Sequence, residues 1–75
     1  MRLEERPKAF LRSELGNIPV DKGEEFYWTY AHPVIDRCRE QFYPDSNDND
    51  RVHNALINDA KRHYTRRFNR LFAPG

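Results

Sequence analysis

The sequence lacks most of what could staple or anchor a small protein. Its single cysteine, Cys38, excludes an internal disulfide. No CxxC or HxxxH spacing offers a structural metal site, and the few candidate ligands are badly placed. His32 and Cys38 are six residues apart and do not share a helical face. His53 and His63 are ten apart, about 80° off helical register. No apolar run approaches the ~20 residues of a membrane span, and no signal-peptide pattern is visible. The expected setting is therefore a reducing cytoplasm, with no membrane contact.

Catalytic constellations are missing as well. No nucleophile, base and acid fall at spacings that would bring them together, so no enzyme and no cofactor is expected. The acidic stretch "DSNDND" fails as a calcium loop in both registers. Counted from Asp45, position six is Asp50 where glycine should make the turn, and position twelve is Leu56 where a bidentate glutamate should sit. Counted from Asp48, position twelve is Asp59 but position five is Val52. A solvated, helix-capping loop is the expected role, and no metal is expected anywhere.

What the chain does have is aromatics and charge. Ten aromatics in 75 residues argue against disorder, since they bury much area per residue. The net charge of +1 conceals a strong asymmetry. Residues 1–20 carry four Lys/Arg against three acids. Residues 21–50 carry three against eight, and residues 51–75 carry six against one. An acidic middle is joined to a basic end.

Periodicity points to one all-α domain over 1–75, built of three helices. Pro7 suits the first turn of a short helix over "PKAFLRSEL", and Gly16 sits where a C′ glycine would stop it. "NIPV" reads as an extended connector. In "DKGE", Asp21 as N-cap and Glu24 at N3 resemble a capping box. The next segment holds "EEFYWTYAHP", with four aromatics in five positions. With Phe26 as zero at 100° per residue, Tyr30, Val34, Tyr27, Cys38, Ala31, Phe42, Ile35 and Trp28 fall between about 40° and 200°. Glu25, Thr29, His32, Asp36, Arg39 and Glu40 fall opposite. The stripe crosses Pro33 unbroken, so residues 22–43 form one kinked helix or two helices meeting at "HP". A strand over "EFYWTYA" is the competitor, and it has no second strand to pair with. "YPDSNDND" is a loop in which Asp48, Asn49 or Asp50 caps a third, basic helix over about 50–72, followed by a fraying "APG". The expected core is Phe10, Leu11, Leu15, Tyr27, Trp28, Ala31, Val34, Ile35, Cys38, Phe42, Leu56, Ala60, Tyr64, Phe68 and Leu71. Tyr43 and Phe72 should stay partly exposed.

Two charged surfaces are the candidate sites. Arg51, Lys61, Arg62, His63, Arg66, Arg67 and Arg70 lie mostly off the apolar stripe, and Arg62, Arg66 and Arg70 form an i, i+4 ridge. Five cations and no acid between Lys61 and Phe72 exceed what compensating the helix dipole requires. Glu24, Glu25, Phe26, Asp36 and Glu40 form an acidic docking face with Phe26 as its anchor. The expected function is a non-enzymatic intracellular binding protein. It would regulate or inhibit a larger, nucleic-acid-associated complex by docking on a protein partner through these faces. The alternative is a DNA- or RNA-binding module using the arginine-rich third helix, although no helix-turn-helix spacing is present. With so small a core, surplus aromatics would also serve a homodimer. In size and composition alone, the chain is similar to phage-type inhibitors and accessory regulators.

Overall fold

The computed structural model describes residues 2–45 and 49–72, which form three helices and no strand. They are α1 (Glu5–Leu15), α2 (Glu24–Phe42) and α3 (Asn49–Phe72), each packed against the other two. Residues 46–48 of the "DSNDND" loop, with the proposed Asp48 cap, fall outside the described residues, as does "APG"; Asn49 and Asp50, the other cap candidates, lie within the first turn of α3.

The start of α1 lies two residues before Pro7. Glu4 is extended and supplies no side-chain cap, while its carbonyl accepts the Lys8 N–H at 3.2 Å. Pro7, in the first turn, lacks an N–H where none could be satisfied, and its ring is buried. Gly16 does end α1, but in right-handed conformation (φ −62°, ψ −20°) and not as a left-handed C′ residue. What it supplies is space, because a Cβ there would stand 2.9 Å from the Arg12 carbonyl. Two further turns, Asn17 N–H to Glu14 O and Ile18 N–H to Leu15 O, lead the chain out of the helix.

The connector to α2 is more than a spacer, because it buries Ile18 and Val20. Its last residue, Gly23, occupies the N-cap position of α2, so the capping box expected at Asp21 is not formed. Gly23 has φ +98° and ψ 166°, a region open essentially to glycine alone, and no side chain caps the helix. The first turn closes through the Tyr27 N–H to Gly23 O, and Glu24 and Glu25 offset the positive end of the dipole. The "EFYWTYA" segment is helical, and α2 continues through Pro33 as one element. Pro33 cannot bond the Thr29 carbonyl, but both residues are exposed and water can replace the donor.

Packing narrows the apolar stripe of α2 to its centre. Tyr27, Ala31, Val34, Ile35 and Cys38 are buried, while Trp28 and Phe42 at one edge are partly covered and Tyr30 at the other is 52% exposed. Ala31 of α2 and Ala60 of α3 are fully buried, and the Tyr27 hydroxyl donates to the Ala60 carbonyl at 3.0 Å. Tyr27 also meets Tyr64 edge to face at 4.8 Å, and Phe10 meets Phe42 in the same way at 5.7 Å.

Of the expected core, Phe10, Trp28 and Phe42 are only partly buried at its edge, and two residues are exposed. Phe68 and Leu71 are 38% and 55% exposed. The cause is length: α3 has 24 residues, about 36 Å, against about 16 Å for the 11 residues of α1. The last turns of α3 continue the apolar stripe beyond the packed region, where Leu71 lines an open depression with Pro19 and Val20. The core gains instead Leu3, Pro7, Ile18, Val20 and Val52.

Candidate basic groove between the first and third helices

The cations of α3 divide between two environments. Arg67 turns inward, and its Nη1 donates to the carbonyls of Leu15 at 2.9 Å and Ile18 at 2.6 Å. Those oxygens belong to the last turn of α1 and the chain leaving it, so the guanidinium ties the connector to α3. Sequence reasoning placed Arg67 among the partner-binding cations, but its hydrogen bonds serve the fold. Arg70 lies beside it in a separate depression lined by Pro19, Val20, Asp21 and Leu71. Arg51 is exposed at the opposite end of α3, ten residues or about 15 Å before Lys61.

Lys61, Arg62, His63 and Arg66 come together with residues that the sequence did not single out. One half of the groove between α1 and α3 is lined by Arg2, Leu3, Lys8, Ala55, Asn58, Lys61 and Arg62. The other half is lined by Lys8, Arg12, Asp59, Arg62, His63 and Arg66. Lys8 and Arg62 line both halves, so the two are continuous. Lys8 and Arg12 stand in the same i, i+4 relation on α1 as Arg62 and Arg66 on α3. That spacing was the available signal; it was hidden because Glu4, Glu5 and Glu14 leave the first twenty residues almost neutral.

Asp59 is the one carboxylate along the groove, and it pairs with Arg62 at 3.6 Å. The Arg62 side chain is 70% exposed, so this pair is weak and the guanidinium stays open to solvent. His63 is half-buried, and its Nδ1 is buried without a hydrogen-bond partner. Its pKa is lowered, first by burial and then by the positive field of Arg67, with Arg66 and Arg12 adding to it and Asp59 opposing. Near neutral pH the imidazole is therefore uncharged among guanidinium groups.

The acidic candidates are dispersed along α2. Glu24 and Glu25 lie exposed in its first turn, about 18 Å along the axis from Asp36, which pairs with Arg39 at 3.5 Å. Glu40 is exposed a turn further on. Phe26 is half-buried against Tyr30, ring centroids 5.0 Å apart. It lines an apolar depression with Ile18, Pro19, Tyr30, Pro33 and Val34, bounded by the Glu14–Arg37 pair at 3.7 Å. None of these α2 residues lines the basic groove.

Cys38 is buried, its thiol donates to the Pro7 carbonyl at 3.8 Å, and desolvation by burial pushes its pKa up to about 11. Among the described residues, no three His, Cys, Asp or Glu side chains gather into a group able to hold a metal ion. No described helix is long and apolar enough to cross a membrane. Comparison with protein-family models, curated proteins and solved structures finds no match to this chain.

Proposed function

We propose that this chain is a non-enzymatic binding protein of the cytoplasm. It docks through its charged helical surfaces onto a larger macromolecular assembly and regulates or inhibits that assembly. The observation that carries the reading is the segregation of charge in three dimensions. Cations from α1 and α3 share one groove, and the acids of α2 stand outside it. The groove between two helices of a three-helix bundle opens away from the third, so a partner seated there does not meet the acidic surface.

Affinity capture from the native host tests this with charge-reversal pairs. Arg62→Glu/Arg66→Glu and Lys8→Glu/Arg12→Glu should each deplete the captured material at least tenfold. Helical circular dichroism should stay unchanged, because all four side chains are solvent-facing or only partly covered. Glu24→Lys/Glu25→Lys reports separately on the acidic surface. Capture indifferent to all three pairs would refute docking through charge.

A further inference from the structure

The chemistry of the groove restricts what can occupy it. Its inner half presents Lys8, Arg12, Arg62, His63 and Arg66 with a single carboxylate, Asp59, and no apolar side chain. Protein interfaces are built differently: charge is depleted at their centre, and where arginine is a hot spot it works beside buried aromatic anchors. This molecule does have such anchors, at Phe26 and Tyr30, but they line the other depression. That half, a run of donors without an anchor, suits a ligand that is itself a row of anions; the other half adds only Leu3, which is buried, and Ala55 as apolar lining.

The spacing suits the same ligand. Residues four apart on a helix are separated by about 6 Å along its axis. Lys8 with Arg12, and Arg62 with Arg66, therefore set two short cationic rows across the groove from one another. Guanidinium forks bind phosphate oxygens in pairs, and ammonium groups add point charge. The half-groove through Arg2 and Lys61 lengthens the track at one end.

We infer that the groove between α1 and α3 binds the sugar-phosphate backbone of nucleic acid without reading its bases. This rests on the reading of the groove as the contact surface, and it names the class of partner. Base readout is not expected, because no helix-turn-helix arrangement presents α3 to a major groove about 12 Å wide. The lining of the α1–α3 groove includes no Phe, Tyr or Trp on which unpaired bases could stack, and the one imidazole, His63, is half-buried. Sequence-independent contact is what remains, and its energy comes from counterion release.

The test uses the purified full chain with fluorescent probes in an anisotropy titration. The probes are a random 20-base-pair DNA duplex, its RNA counterpart, a random 20-nucleotide single strand and a polyglutamate peptide of matched charge. About five phosphate contacts predict a log–log salt slope near −4.5 for duplex DNA and near −3.5 for the single strand. For the duplex this is roughly a 500-fold loss of affinity between 50 and 200 mM salt. Scrambling the sequence should change affinity less than threefold. Arg62→Gln/Arg66→Gln and Lys8→Gln/Arg12→Gln should each weaken binding at least tenfold at 100 mM salt, with unchanged helical circular dichroism and a Tm no lower than that of the wild type confirming the fold. The glutamine variants avoid new repulsion, so their loss measures missing contacts.

Three results would overturn the inference. One is polyglutamate bound as tightly as duplex; that would leave docking intact and make the partner an acidic protein. Another is nucleic-acid binding insensitive to the α1 pair, which would mean α3 acts without a groove. The third is no binding to any nucleic acid at 50 mM salt. Failure of the docking reading looks different, because host capture would then ignore every charge reversal.

Discussion

Tyr27 sits where the two longer helices meet, fully buried, with its hydroxyl satisfied by the Ala60 carbonyl. Desolvation by burial pushes its pKa up to about 12, while the nearby Arg67 charge acts in the opposite direction. Since the folded value lies above the unfolded one, Tyr27 adds stability below pH 10 that is lost as pH rises towards 12. Tyr27→Phe should cost about 1 kcal/mol, or roughly 4–8 °C in Tm for a domain of this size, and should flatten the alkaline loss. Thermal melts at pH 7 and pH 10.5 check both. His63 works with the other sign. Its folded pKa is lowered, so its neutral form adds stability above the ordinary histidine range, and this is lost as pH falls through it. The wild-type Tm should drop between pH 7.5 and 5.5 more than that of His63→Gln, and a matching pair of curves would refute the argument. Cys38 has a raised pKa and full burial, so thiol reagents should modify it only at the rate of global opening. Labelling in native buffer within minutes would contradict that.

At the scale of elements, the helices and their types were legible because the 3.6-residue apolar period holds over ten residues or more in each. What could not be read was how the ends are made and how far the partners extend. Asp21 and Glu24 have the right spacing for a capping box, yet the backbone uses the conformational freedom of Gly23 and leaves Asp21 exposed. Choosing between two local solutions depends on where the connector must go, and Ile18 and Val20 set that by burying themselves. Phe68 and Leu71 keep the apolar period, but periodicity carries no information about where the neighbouring helices stop. Gly23→Ala should therefore destabilise by about 1–3 kcal/mol through its positive φ, although nothing lies within 4 Å of the added methyl. Asp21→Ala should be nearly silent. Urea denaturation of the two variants separates the mechanisms, and the reverse order would restore the capping box. Arg67→Ala removes two charge-assisted hydrogen bonds to carbonyls and should cost about 1.5–3 kcal/mol. Arg66→Ala, one residue away and exposed, should cost almost nothing, a contrast that the sequence "RR" conceals.

Over the whole molecule, the candidate site was half visible. The α3 cations stood out because few acids dilute them, whereas Arg2, Lys8 and Arg12 are interspersed with glutamates that the fold turns elsewhere. Summing charge along a chain averages over directions, and only the packing of α1 on α3 restores them. The consequence is a protein of almost zero net charge whose cations still crowd one another within a groove. Such crowding costs stability through like-charge repulsion, and mobile ions screen it over about 10 Å at 0.1 M salt. Tm should therefore rise as NaCl goes from 10 to 200 mM. Sulfate at equal ionic strength should raise it further, because an anion bound to the native groove stabilises it by mass action. Arg66→Gln/Arg12→Gln relieves the repulsion, so its Tm should start higher at 10 mM NaCl and respond less to either salt. General salting-out by sulfate acts on every variant alike, so the difference between wild type and double variant is the quantity to measure. If that difference is zero across the salt range, the cations are too far apart or too well hydrated to interact, and the groove has no collective field for a polyanion to neutralise.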